Sequence, residues 1–187
     1  GSAGLALLVM LRARTPGPAE SHGLEFTPTA RAIGIGLIGI GLAFPLVQAA
    51  SLLAQFLTQV LSGHTPEPIG HETLRIITEQ RQSHAAWVLG ATAAIGAPIV
   101  EELMFRVYVQ STALRLIGRT WPAILITGVL FALIHLGGGV TEWHVLIPLF
   151  VLGVGMGVAY ERARNVIAPI VMHAVFNIVN LALTVGG

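Results

Sequence analysis

Six residues carry chemistry at spacings that matter: Glu101, Glu102, Arg106, His135, His173 and Asn177. Glu102 and Arg106 stand four apart, on one face of a helix, while Glu101 points about 100° away. One carboxylate is then neutralised by the guanidinium and the other is left free. His135 follows Phe131 by four residues, and His173 precedes Asn177 by four, with Asn180 a turn further along. Singly, each pattern has a bland reading: an ion pair that orders a bundle, a histidine at a helix end, or polar side chains that hold membrane helices together. Together they supply every part needed to hydrolyse an amide with water. Glu and His hold and deprotonate the water, while His or Asn donates hydrogen bonds to the developing oxyanion.

The setting of these groups is apolar. Of the 187 residues 54% are hydrophobic and only 10% charged, with a mean hydropathy of +0.79; soluble domains carry about a quarter charged residues. The chain therefore belongs to the membrane class, and its length suits one compact domain of five or six helices of roughly 20 residues each. All ten basic residues are Arg and all nine acidic residues Glu. Without Asp there is no aspartyl dyad, and without Cys no thiol nucleophile, disulfide or cysteine metal site. No basic patch with interleaved aromatics points to nucleic acid.

The elements that must position the six residues follow from the apolar runs. Residues 3–11 are too short to span and read as the end of a longer helix or a signal h-region; 12–31, with Pro16, Pro18 and Pro28, read as a polar connection. Residues 32–61 form a first complete span with Pro45 inside it, and 62–84 a loop whose middle, 72–82, suits a short surface helix. One long helix over 85–118 carries Glu101, Glu102 and Arg106 near its middle. Residues 121–136 and 145–160 are further spans, the latter with Gly153, Gly155 and Gly157 for close helix contact. A tight connection at 161–165 leads to the last span, 166–185. The expected organisation is an N-terminal segment and loop (1–31), a first span and loop (32–84) and a catalytic membrane unit (85–187), the whole an all-α, multi-pass transmembrane bundle with an interior polar cavity.

Arginine placement supports five spans. Arg12, Arg14 and Arg31 precede the first, Arg115 and Arg119 lie two crossings later, and Arg162 and Arg164 two further on. Basic residues concentrate in cytoplasmic loops, so the start of the first span is expected to face the cytoplasm and the C-terminus the outside. His22, His64, His71, His84 and His144 fall in loops or at span ends, where a solvated role is expected. Other peptidase chemistries lack their signatures: His71-Glu72 is not followed by a second histidine at zinc-motif spacing, and there is no Gly-x-Ser-x-Gly elbow.

With these residues in view, the chain resembles the CPBP family, the CAAX-protease and bacteriocin-processing (Abi) group of intramembrane endopeptidases. Three motifs carry the resemblance: Glu-Glu-x-x-x-Arg at Glu101, Glu102 and Arg106, Phe-x-x-x-His at Phe131 and His135, and His-x-x-x-Asn at His173 and Asn177. The likeness covers roughly residues 85–185. It implies a helical membrane bundle, Glu101 as general base, His135 as its water-positioning partner, Asn177 and His173 as oxyanion donors, and Glu102–Arg106 as a supporting ion pair. It also implies a membrane-associated protein or peptide as substrate and the lipid bilayer as setting; because a water held by Glu and His needs no metal and the spacing fits no standard zinc motif, no cofactor is expected, the alternative being a divalent metal such as zinc on Glu101, His135 and His173. The Arg and Glu usage hints at a GC-rich bacterial source, hence a plasma-membrane protein.

Two rival functions use the same residues: a proton-coupled transporter, since intramembrane Glu, His and Arg also make relays, and a catalytically inactive scaffold of the same fold. One geometric tension is built into the reading. Counted from the expected cytoplasmic ends at 1.5 Å per residue, His173 lies about 10 Å deep and His135 about 21 Å. Pro98 and Pro169 mark places where a helix distortion would bring them together.

Overall fold

The computed structural model describes residues 29–63, Ile76, 83–137 and 143–186. The expected surface helix at 72–82 falls, except for Ile76, outside these residues, as do the N-terminal segment and His22, His64 and His71. The described residues form helices and contain no strand.

Helix α1 (Ala30–Ser62) starts on Thr29, whose hydroxyl accepts from the Ala32 amide, and stops at Gly63, which adopts the left-handed conformation (φ 66°) that terminates a helix without a Cβ penalty. Pro45 lies inside it without ending it. Helix α2 crosses as one apolar element, Ala86–Ile117, and carries the Glu-Glu-x-x-x-Arg sequence. It is not uniform: α-helical His84–Ala91, Ala97–Glu102 and Ser111–Ile117 alternate with π-helical Thr92–Gly96 and Leu103–Gln110. Helix α3 is Thr120–Ile134, prolonged by a 3₁₀ turn at His135–Gly137. A 3₁₀ turn at Trp143–Val145 leads into α4 (Leu146–Ala163), and α5 (Ile167–Gly186) completes the bundle.

Four of these helices are long and apolar enough to cross a membrane, and the chain is an integral membrane protein. The fifth expected span, α3, is the shortest. Its 15 residues rise about 22 Å, short of the roughly 30 Å hydrocarbon core. His135 opens the 3₁₀ turn that prolongs α3 by about 6 Å. The expectation for His144 is corrected: instead of being solvated it is 3% exposed, because the turn that carries it packs against α1 at the head of α4.

Helix α4 is the hub. A Cβ on Gly153 would stand 3.2 Å from the Gly128 backbone of α3, one on Gly155 2.9 Å from Met172 of α5, and one on Gly157 2.9 Å from Gln110 of α2. Three glycines at alternate positions thus admit three different helices, the close-packing role expected of them. Around this hub Phe105, Phe131, Leu152, Met156 and Met172 form the core, extended by Ile40, Ala43 and Val47 of α1. The outward residues of α1, among them Ile38, Leu42, Leu52 and Phe56, are exposed in the bundle and face the lipid expected around it.

The α4–α5 turn is exposed at Arg164 and buried immediately beyond it. Arg164 reverses the chain with φ 54°, and Asn165 Oδ1 accepts from the Ile167 amide at 2.8 Å. Asn165, Val166 and Ala168 are all buried. Gly36, six residues into α1, is so close to this turn that a Cβ there would meet Ala168 O at 2.6 Å. Ala168 thus lies about 9 Å below the start of α1 and His173 about 7 Å deeper still. The depth mismatch with His135 is roughly halved once α5 starts that deep.

Candidate active site

Three helices deliver the six residues. Glu101 and Glu102 end the α-helical stretch between the two π segments of α2, His135 sits in the 3₁₀ turn that ends α3, and His173 and Asn177 share one face of α5. His135 Nε2 and His173 Nε2 lie 3.8 and 4.0 Å from the same atom, Glu101 Oε2. Phe131 braces both rings, with centroids 4.7 Å from His135 and 5.7 Å from His173.

The other nitrogen of each ring is committed. His135 Nδ1 lies 2.6 Å from Phe131 O, and a carbonyl only accepts, so Nδ1 donates. His173 Nδ1 lies 2.9 Å from Glu102 Oε1 and donates in the same way. In the neutral rings both Nε2 atoms are left as acceptors facing a carboxylate oxygen, itself an acceptor. Glu101 Oε2 is buried and receives no hydrogen bond among the described residues. Three acceptors converge at separations too long for direct hydrogen bonds and suited to a bridging water. The Glu101 side chain keeps 28% exposure and His135 15%.

Glu102 and Arg106 are the expected ion pair: Arg106 Nε donates to Glu102 Oε2 at 2.7 Å, with both side chains fully buried. The second oxygen of Glu102 receives His173, so one carboxylate joins a guanidinium of its own helix to an imidazole of α5. In a regular α-helix each step of four residues drifts about 40° around the axis. The wider π-helical turns of Leu103–Gln110 reduce that drift, so Glu102, Arg106 and Gln110 form a row along α2. Gln110 was not singled out in the sequence, although its place four residues after Arg106 was the available signal.

Asn177 Nδ2 donates to the carbonyl of Ala93 at 2.9 Å. The reason lies in Pro98. Within the first π segment the Ala97 amide bonds Thr92 O, which takes the α-helical partner of Ala93 O; the next amide would be that of Pro98, which has none. A backbone acceptor is left over inside an apolar helix, and Asn177 satisfies it. The amide keeps a second N–H. Asn180, by contrast, turns back to Phe176 O of its own helix.

A tetrahedral zinc would hold its nitrogen and oxygen ligands at about 2.0–2.1 Å and so draw them to about 3.3 Å from one another. The two separations measured from Glu101 are wider, and among the described residues no group of three His, Asp or Glu has metal-holding geometry.

Fold and site together define a multi-pass membrane protein with a half-buried carboxylate–imidazole centre. Residues 83–179, just over half of the chain, match the family described as type II CAAX prenyl endopeptidase Rce1-like, and the chain belongs to that family of membrane proteases. No curated protein and no solved structure matches it. The protein is thus a membrane hydrolase of the protease class, acting on a peptide or protein.

Proposed function

We propose that this chain hydrolyses a peptide bond of a membrane-associated protein or peptide with a water activated by Glu101 and His135, without a metal. The observation that carries the reading is the convergence of His135 Nε2 and His173 Nε2 on Glu101 Oε2. The water donates one hydrogen to Glu101 and the other to His135 Nε2. As its oxygen bonds the scissile carbonyl carbon, Glu101 takes the first proton and the carbonyl becomes an oxyanion. The free N–H of Asn177 and the Nε2–H of doubly protonated His173 donate to that oxyanion, and Glu102 stabilises the imidazolium. Glu101 then returns its proton to the leaving amine as the C–N bond breaks, which leaves an acid, an amine and the enzyme in its starting state.

The family description supports a prenylated C-terminal peptide as one substrate, and a tethered peptide without a prenyl group is the natural comparison. The experiment is cleavage of both reporters by purified protein, comparing wild type with Glu101→Ala and His135→Ala. Loss in both variants, about a hundredfold or more, is expected; full cleavage by both would refute the assignment. Substrate flux in proteoliposomes that survives in a cleavage-negative variant would favour a transporter, and a folded wild type that cleaves nothing would favour a scaffold.

A further inference from the structure

The row that starts at His173 does not stop at Arg106. Arg106 Nη1 donates to Gln110 Oε1 at 3.2 Å, and Gln110 Nε2 donates to Gly157 O at 3.2 Å and to Glu161 Oε1 at 2.9 Å. A guanidinium only donates, while a carbonyl and a carboxylate only accept, so the Gln110 amide has one orientation that satisfies all three partners. Gln110 is fully buried, like Glu102 and Arg106. An unsatisfied amide there would cost stability. Both of its N–H groups and its oxygen are instead engaged. Gly157 gives it room, since a Cβ there would meet Gln110 Oε1 at 2.9 Å and Arg106 Nη1 at 3.3 Å.

We infer that Gln110 is a positioning residue for the site: by holding the far end of Arg106 against α4 it fixes Glu102, and through Glu102 the ring of His173. The inference rests on the peptidase reading for its kinetic arm only. Among the described residues two hydrogen-bond acceptors hold Arg106, Glu102 at Nε and Gln110 at Nη1, while Nη2 is buried without one. With Gln110 gone the guanidinium keeps its place over the Phe131 ring but is hydrogen-bonded at one end alone, and can turn about its bond to Glu102. The carboxylate swings with it, and Oε1 no longer holds the Nδ1–H of His173. The amide is oriented in turn by Glu161, near the end of α4, so the chain of bonds runs from the site toward the arginine-rich end of the bundle.

The test uses the full chain in three variants. Gln110→Met keeps length and removes the hydrogen bonds; kcat is expected to fall about tenfold to a hundredfold, with KM changed less than about twofold. Gln110→Glu sets a carboxylate against Glu161 and falls likewise. The exchange Gln110→Glu with Glu161→Gln restores an acceptor for Arg106 and a donor from position 161, though not the donor to Gly157 O, and recovers part of the lost kcat, about threefold or more above Gln110→Glu. In a Glu101→Ala background, where no cleavage is needed, imidazole ¹⁵N spectra should show one hydrogen-bonded Nδ1–H environment for His173 when Gln110 is present and a mixture of environments when Gln110→Met is added. If wild type cleaves no reporter, the peptidase reading fails, and the spectra still decide the role of Gln110. Unchanged kcat and an unchanged His173 spectrum in Gln110→Met would overturn the inference. So would a folded exchange variant as slow as Gln110→Glu, which also decides the matter should Gln110→Met not fold.

Discussion

Asn177 and Ala93 lie 84 residues apart in the chain, and the side-chain amide of one bonds the backbone carbonyl of the other at 2.9 Å. That bond exists because Pro98 withholds the amide that would otherwise compete for the carbonyl. A proline in α2 thereby aims a side chain on α5.

The consequence is testable at Pro98, which touches neither water nor substrate in the proposed mechanism. Pro98→Ala supplies the missing N–H, lets Ala93 O rejoin the backbone ladder of α2 and releases Asn177. Cleavage is expected to fall by about tenfold. Asn177→Ala should then cost little more in the Pro98→Ala background, because the two changes remove the same interaction. Fully additive losses in kcat would disprove the link.

A second relationship sets the depth of the site. A Cβ on Gly36 would stand 2.6 Å from the carbonyl oxygen of Ala168, and backbone cannot swing aside as a side chain can. Gly36→Ala should push the α4–α5 turn away from α1, lowering stability by about 1–3 kcal/mol and lowering cleavage through the displacement of His173. Gly41→Ala, in the same helix with open space around its Cβ position, is the control and should change stability by no more than about 0.5 kcal/mol. Equal unfolding midpoints for the two variants would contradict the packing argument.

How far the sequence revealed this protein depended on contrast. Glu101, Glu102, Arg106, His135, His173 and Asn177 were legible because ionisable and amide groups inside apolar runs are costly and so conspicuous, and their order on three helices carried the family resemblance. Gln110 is uncharged and lies one turn after a more conspicuous arginine, so its part in the row was hidden. The π segments of α2 leave no trace in apolar periodicity, because both faces of a membrane helix are apolar and a shifted register costs no pattern. The turn after α4 was legible as a tight connection with exposed arginines, but nothing in Glu161-Arg162-Ala163-Arg164-Asn165 told that Asn165 is buried. The same holds for His144, whose loop-like surroundings gave no hint of its burial under α1.

The buried ion pair allows stability and activity to be separated. Glu102→Leu leaves Arg106 charged and without its carboxylate, and is expected to lose about 3–5 kcal/mol. Adding Arg106→Leu removes the stranded charge and should recover most of that loss. Cleavage should stay low in the double variant, because His173 still lacks the acceptor for its Nδ1–H. Unfolding in denaturant gives the first comparison and the reporter assay the second. A double variant that regained both would leave the Glu102–His173 bond without a role in the reaction.

Metal removal tests the centre itself. Glu101, His135 and His173 present the atoms a zinc site would use, and both histidines donate their second nitrogen to an oxygen, as metal-bound histidines commonly do. The separations of 3.8 and 4.0 Å favour a water between them over a tetrahedral ion, whose ligands stand about 3.3 Å apart. Extensive dialysis against a chelator is therefore expected to leave kcat unchanged, and metal analysis of the active protein should find less than about a tenth of an equivalent of zinc, far below the tight binding of protein zinc sites. Activity that vanishes on dialysis and returns with Zn²⁺ would replace the proposed chemistry by a metal-bound water on the same three residues.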